Sequence, residues 1–313
     1  MKANIDIVIV SWNSEKFITS CIESIFNTGL FGQQISQVII VDNGSTDETV
    51  KSIRIGGWPV ILKENNENLG FAAACNQGAK RCSSELILFL NPDTTINKES
   101  VEAAIACSQE RLSSNIGIFG LPMSDDHGES SCGARFPSAR SFFASALPPA
   151  ICKVLRLRRS TLMRASELQP SRDIDQVIGA FFLVRTRLYM ELDGFDERYY
   201  VYFEEVDFSL RAAKIGWRSH VVNGPPIYHF GGGSSSSVKA LRLFYSLNSR
   251  LRYSAKNFTR LEYLIVFLVT FLLEPVSRIG SEIFKGDVKA AGGIIYAYSL
   301  LIGSLIGIVS RGD

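Results

Sequence analysis

The chain has 313 residues, 46% hydrophobic and 20% charged, a composition that supports a sizeable core and roughly two domains and excludes wholesale disorder. A formal net charge of +2 gives no polyanion signal over the whole chain, so nucleic acid is not an expected partner and any basic site must be local. The six cysteines (Cys21, Cys75, Cys82, Cys107, Cys132 and Cys152) show no C-x-x-C pair and no metal-ligand spacing, which reads as reduced cytosolic thiols. No cleavable leader pattern is evident, and no internal repeat.

Residues 5–12, IDIVIVSW, read as a buried strand. Asn13-Ser14 then offers a cap for a helix carrying Phe17, Ile18, Cys21, Ile22, Ile25 and Phe26 at helical spacing, with Gly29 as its stop. Residues 38–41 predict a second strand ending in the turn sequence Asp42-Asn43-Gly44, followed by a capping box at Ser45-Thr46-Asp47-Glu48. A third strand is predicted at 60–62, then a polar stretch at 65–68 and a helix over 70–79. The fourth strand, Leu86–Leu90, is apolar throughout and runs into Asn91-Pro92-Asp93, where Pro92 ends the ladder. Asp93 has two readings: a carboxylate facing a ligand at the carboxyl end of a buried strand, or a turn residue at the start of the helix around Val101 and Ile105, with Asp93 or Asn97 as cap. Strands alternating with helices predict an α/β, doubly wound, mostly parallel sheet with helices on both faces.

No G-x-G-x-x-G follows a strand and no G-x-x-x-x-G-K-[ST] occurs, so a dinucleotide fold and a phosphate-loop ATPase are poor fits. Two strands instead end in aspartates, Asp42 and Asp93. A diphosphate bound there without backbone nests would need a divalent metal held by carboxylate. Asp42 could also accept hydrogen bonds from a ribose or pyrimidine, or simply close a turn. The pattern weakens over 123–172, where Lys153, Arg156, Arg158, Arg159 and Arg164 mix with Val154, Leu155, Leu157, Leu162 and Met163 as a short surface helix or flap. Residues 177–184, VIGAFFLV, predict another strand. On the following acidic helix Glu204, Asp207 and Arg211 share a face and can pair, which leaves Glu205 about 100° away without an obvious partner and makes it the better candidate base. The alternative for all three acids is a favourable place at a helix N-terminus. His229 opens a Gly231–Gly233 and serine run that is mobile by composition; the histidine is a structural residue or a metal ligand.

Taken together and in order, VSWNS, VDNGSTDET, NENLGFAAACNQG, LFLNPDT, GAFFLVRTRLYMELDGFDERYYVYFEEVDFSLRAAKIGW and YHFGGGS resemble inverting family 2 glycosyltransferases with the GT-A fold, over about residues 5–235. The subgroup most similar is the bacterial rhamnosyltransferases of cell-surface polysaccharide synthesis. The resemblance implies that Asp42 binds the nucleoside, and that Asn91-Pro92-Asp93 stands in place of the D-x-D motif, with Asp93 bridging a Mg²⁺ or Mn²⁺ to the donor diphosphate. It implies further that His229 completes the metal shell and that Glu205 deprotonates the acceptor hydroxyl, with Glu204, Asp207 and Arg211 in acceptor or supporting roles. Asn91 departs from the family's carboxylate, which weakens the metal site, and Glu205 is one methylene longer than the family's aspartate. The implied partners are a nucleoside-diphosphate sugar, a lipid-linked saccharide acceptor and the cytoplasmic face of a bacterial inner membrane. Two other classes compete: an inactive sugar-nucleotide-binding scaffold, suggested by Asn91, and a sugar-nucleotide nucleotidyltransferase, disfavoured because VSWNSEKF is not a glycine-rich basic loop.

The expected domains are a catalytic 1–235 and a helical, membrane-associated 236–313. In the tail, Lys239, Arg242, Arg250, Arg252, Lys256 and Arg260 precede an apolar run at 263–273 that is too short to span a bilayer. The second run, 290–310, is uncharged and long enough. Its small residues Gly292, Ser299, Gly303 and Gly307 form one stripe suited to a helix neighbour, and Ile294, Ile295, Leu301, Leu305 and Ile308 form the bulky side expected to face lipid. A helical hairpin lodged in the membrane face follows as an expectation, as does the alternative of helices packed as core.

Overall fold

The computed structural model describes residues 4–111, 114–126, 128–163, 167, 172–231 and 239–311. The chain divides into two compact units. One gathers Met1–Phe136, Leu162–Tyr200 and Glu204–Ser234, the other Pro137–Thr161, Val201–Phe203 and Ser235–Asp313. The second unit is thus more than the continuous 236–313 tail, because residues 137–161 and 201–203 pack with it. Most of the expected mobile glycine–serine run lies outside the described residues.

The first unit begins with four strands, β1 (Ile5–Ser11), β2 (Ile35–Asp42), β3 (Ile61–Glu64) and β4 (Leu86–Leu90), all mutually parallel where they pair. In chain order there follow β5 (Thr94–Thr95), β6 (Ile116–Gly120), β7 (Met123–Asp125), β8 (Gly128–Ser130) and β9 (Gly133–Ala134). The last strands are β10 (Arg172–Ile174), β11 (Gln176–Val177), β12 (Phe181–Arg185), β13 (Arg218–Val221) and β14 (Ile227–His229). The main sheet has the order β10-β13-β6-β12-β4-β1-β2-β3. It is mostly parallel, but β12 runs antiparallel to both β4 and β6, and β10 antiparallel to β13. The strand expected over 177–184 is two strands, β11 and β12, with the break at Ile178-Gly179-Ala180.

Alternation along the central strands feeds two cores. Ile7 and Ile9 of β1 and Leu88 and Leu90 of β4 meet Ile18 and Ile22 of the Ile18–Asn27 helix and Val101 and Ile105 of the Lys98–Glu110 helix. On the other face Val8, Val10, Ile87 and Phe89 meet Ala72 and Cys75 of the Phe71–Ala79 helix and Phe208 and Ala212 of the Glu204–Lys214 helix. Two expected helix starts move. The first helix begins at Ile18, with the Ser14 carbonyl accepting from the Phe17 and Ile18 amides. The second begins at Thr49 without a capping box, because Ser45 and Thr46 are drawn into hydrogen bonds with Asp42 and Asn13.

In the second unit the Lys239–Asn257 helix packs against two long apolar helices, Arg260–Phe284 and Val288–Arg311. The run expected to stop at Leu273 continues for 25 residues, long enough to cross a membrane: at about 1.5 Å per residue it reaches roughly 37 Å, against about 30 Å of hydrocarbon. Pro275 cannot donate to the carbonyl one turn back, and the helix widens into a π-turn over Val269–Leu273 just before it. Glu274 does not end the helix because it is buried against Arg250 and Arg278. The expected orientation of the last helix holds only in part: Ile295 of the bulky side is exposed, but Leu301 is buried. Ala291, Ala297, Tyr298 and Leu301 are its buried face, while Gly292 and Gly303 are exposed with nothing within 4 Å of an added Cβ.

Candidate active site

The site forms where strands end. β4 stops at Leu90, the Asn91 amide donates to the Ala180 carbonyl at 3.1 Å, and the Thr94 amide closes the turn on the Asn91 carbonyl at 3.1 Å. Asn97, not Asp93, caps the next helix, accepting from the Ser100 amide at 2.9 Å. Asp93 is therefore not a cap. It is 8% exposed, and its Oδ1 lies 3.4 Å from Nε2 of His229. β14 pairs antiparallel with β5, setting His229 opposite Thr94, and the Phe230 amide donates to the Asp93 carbonyl at 3.0 Å.

The Asp93–His229 spacing suits a divalent cation, since adjacent ligands about 2.1 Å from an octahedral ion stand roughly 3 Å apart. Among the described residues no group of three His, Cys, Asp or Glu side chains converges on such a position. Asp93 and His229 are thus the two candidate ligands that the structure brings together. The Asn91 amide makes no side-chain hydrogen bond among the described residues.

Asp42 ends β2 opposite Ser11 of β1. It is 2% exposed and both oxygens are engaged by protein: Oδ1 accepts from Ser11 Oγ at 2.9 Å and Ser45 Oγ at 2.6 Å, Oδ2 from the Ser45 amide at 2.9 Å. Its visible work is to shape the 43–49 loop. Beside it Asn43 ties that loop to the next one, donating to Asn68 and the Gly70 carbonyl and accepting from Asn65 and the Leu69 amide.

The acidic helix divides its carboxylates. Asp207 is fully buried and pairs with Arg211 at 2.8 Å, and Arg211 also donates to the Leu192 and Gly194 carbonyls. Glu204 does not join this pair, contrary to the shared-face expectation: its Oε2 is buried without a hydrogen-bond partner among the described residues. Glu205 keeps part of its surface accessible, and its own Oε2 is likewise buried and unpartnered. Burial raises both carboxyl groups above the ordinary range, Glu204 further because the Glu205 charge stands beside it. Glu205 lies against Gly179, where an added Cβ would stand 3.8 Å from its carboxyl carbon. The next residue, Ala180, supplies the carbonyl that holds Asn91. The break between β11 and β12 thus links the Asn91-Pro92-Asp93 turn to Glu205.

Residues 6–122 match the glycosyl transferase family 2 model. Over those residues the chain is thus similar to the family 2 glycosyltransferases. Among its curated relatives is the N-acetylglucosaminyl-diphospho-decaprenol L-rhamnosyltransferase of Mycobacterium tuberculosis, 29% identical over 224 residues covering 66% of this chain and 70% of that protein. Rhamnosyltransferase WbbL of Escherichia coli is 25% identical over 194 residues, 61% of this chain and 69% of that protein. The fold is shared with the mannosyltransferase PcManGT of Pyrobaculum calidifontis, solved with GDP-Man and Mn²⁺ (TM-score 0.54, 15% identity, 98% of this chain and 81% of that one). It is also shared with Staphylococcus aureus TarS residues 1–349 (TM-score 0.51, 15% identity, 96% and 92%).

In the first unit the structure brings Asp93 and His229 together and connects Glu205 to the same turn through residues 179–180. It sets Asp207 and Arg211 apart as a buried prop. An aromatic edge that sequence reading missed adjoins the pair: Phe230, 45% exposed, packs on Phe17 and Tyr228 with ring centroids 5.1 and 4.8 Å away. The signal was the run Tyr228-His229-Phe230, in which two aromatic rings flank the histidine.

Proposed function

We propose that this protein is an inverting glycosyltransferase that moves a hexosyl unit, with rhamnose the leading candidate, from a nucleoside-diphosphate sugar to a hydroxyl of a lipid-linked saccharide in cell-surface polysaccharide synthesis. The observation that carries the reading is the convergence of Asp93 with His229, linked through Asn91, Ala180 and Gly179 to the partly buried Glu205. The rhamnosyltransferase relatives support the sugar and the lipid-linked acceptor, and the GT-A neighbours with Mn²⁺ support a divalent ion.

Asp93 and His229 would hold Mg²⁺ or Mn²⁺, which supplies charge neutralisation for the leaving diphosphate. Asn91, held by its backbone at the end of β4, presents an amide to the donor. Asp42 keeps the 43–49 loop in shape for the nucleoside end. Glu205 accepts the proton of the attacking hydroxyl at its carboxylate, a contribution of about 10²–10⁴ in rate. The new glycosidic bond forms as the bond to the nucleoside diphosphate breaks, in one displacement that inverts the anomeric carbon. Burial, with the Glu205 charge beside it, raises the Glu204 carboxyl and so disfavours a second negative charge next to the base. The apolar helices of the second unit would hold the enzyme at the cytoplasmic face of the membrane, beside a lipid-linked acceptor.

The test is a donor screen with a lipid-linked acceptor, reading nucleoside diphosphate release and product anomeric configuration. Metal-dependent release with inversion is expected. Release that persists in excess chelator, or retention of configuration, overturns the metal or the stereochemical part respectively.

A further inference from the structure

The chain enters the Glu204–Lys214 helix through a strained turn. Tyr202 and Phe203 have φ of +66° and +70°, the left-handed region that bulky side chains avoid, and they directly precede Glu204 and Glu205. Strain of this kind persists only where the surroundings over-determine the backbone. If an anchor lets go, the turn relaxes and the start of the helix moves with it. Glu205 is open to such movement. Unlike Asp207, which Arg211 holds, it makes no side-chain hydrogen bond or ion pair among the described residues, and its Oε2 is buried without a partner. Its carboxylate therefore stands where the backbone puts it.

Ahead of the turn the chain is fixed at Tyr200. The Tyr200 hydroxyl donates to the Asn68 carbonyl at 3.0 Å, and the Tyr200 carbonyl accepts from the Phe71 amide at 2.6 Å. Ring and backbone are thus tied to one short stretch, 68–71. Gly70 makes the approach possible, since its φ is +91° and an added Cβ would stand 2.6 Å from the Tyr200 carbonyl oxygen. That stretch is braced in turn by Asn43, which is 2% exposed. Its Nδ2 donates to Asn68 Oδ1 at 2.8 Å and to the Gly70 carbonyl at 3.1 Å, and its Oδ1 accepts from the Leu69 amide at 3.1 Å. Val201–Phe203 belong to the helical unit, where Ser249 Oγ donates to the Val201 carbonyl at 2.8 Å. Past the turn, the Asp207–Arg211 pair fixes the helix again.

We propose that Tyr200 is a positioning residue for Glu205: its hydroxyl keeps the strained turn in place and so holds the base at the acceptor hydroxyl. Tyr200 acts through the backbone that it fixes. This role rests on the glycosyl-transfer reading, in which Glu205 is the base.

The test is Tyr200→Phe, which removes the hydroxyl and keeps the ring, in the full chain in detergent. Hydrogen exchange read by mass spectrometry needs no turnover. Peptides covering 204–209 are expected to exchange about fivefold faster than in the wild type, the weight of one neutral hydrogen bond. The Phe208 and Ser209 amides report on it, because in a helix they donate to the carbonyls of Glu204 and Glu205. With the donor and acceptor that the screen identifies, Tyr200→Phe is expected to lower kcat about fivefold at unchanged donor KM. In a Glu205→Gln background the same change is expected to cost nothing further, because a base already absent cannot be misplaced. Unchanged exchange over 204–209, faster exchange spread over the whole first unit, or an equal loss of kcat in both backgrounds overturns the positioning role and leaves Glu205 as the base. Full turnover by Glu205→Gln alone removes the base and this role with it, so the two failures are told apart.

Discussion

Replacing Glu205 with glutamine separates chemistry from stability, because burial acts on the two with opposite sign. Glutamine is nearly isosteric and neutral. Burial raises the Glu205 carboxyl from its ordinary 4.5, so the charged form is disfavoured in the fold. Each unit of such displacement corresponds to about 1.4 kcal/mol of stability, present below the unfolded value and lost as pH rises through the folded one. At alkaline pH the raised Glu205 carboxyl works against folding, and Glu205→Gln removes that penalty. Catalysis goes the other way. Losing the base costs about 10²–10⁴ in turnover, or roughly 3–5.5 kcal/mol of transition-state stabilisation. The variant is therefore expected to melt at or above the wild-type temperature at alkaline pH, to bind donor normally and to turn over slowly. In the wild type the base must be ionised, so activity rises with pH and the acid limb of kcat/KM lies above 4.5. Thermal melts at two pH values, with kinetics of nucleoside diphosphate release, measure both quantities. A variant that melts several degrees lower at alkaline pH while keeping its turnover refutes the assignment.

Other expectations are as direct. Asp207→Asn leaves Arg211 without its carboxylate in a buried setting and is expected to cost about 3–5 kcal/mol, read by denaturant unfolding. Asp93→Ala, and chelation of the wild type, are expected to abolish transfer, with added Mn²⁺ restoring only the chelated wild type. Gly70 has φ +91°, and an added Cβ would stand 2.6 Å from the Tyr200 carbonyl oxygen, so Gly70→Ala is expected to destabilise by at least about 1–2 kcal/mol in the same assay. The full-length protein is expected to pellet with membranes, resist a high-salt wash and release into detergent, because apolar insertion is not screened by ions. Recovery in the salt wash would exclude insertion.

The sheet and its strand-end residues were legible because they depend on local pattern. Leu86–Leu90 is apolar without interruption, Pro92 ends its pairing, and Asp93 follows. What the sequence left hidden depends on distant partners. Asn97 rather than Asp93 caps the helix only because the 91–94 turn closes on itself. Glu204 shares a helical face with Asp207 and Arg211, yet Arg211 spends its remaining donors on the Leu192 and Gly194 carbonyls. The apolar run stops at Leu273, before Glu274-Pro275, yet the helix continues to Phe284. Arg250, 24 positions earlier, neutralises Glu274, and a widened turn accommodates Pro275. Asp6, a charge inside a buried strand, passed unremarked; it closes on the Ser83 and Ser84 amides at 2.6 and 2.9 Å and ties the start of β1 to the approach of β4.

The place of β12 has a consequence for biogenesis. β4 is flanked by β1 on one side and by β12 on the other, and β12 emerges from the ribosome some ninety residues after it. During synthesis the β3-β2-β1-β4 half can assemble as soon as Leu90 is out, but the far edge of β4 then presents five apolar residues and an unpaired row of backbone groups. Residues 6–122, which carry the family signature, end before that edge is covered. Expressed alone, the segment would display Leu86–Leu90 as an open seam and is expected to aggregate. The nascent chain meets the same exposure until Phe181–Arg185 slots in, so this interval is where a chaperone would find it.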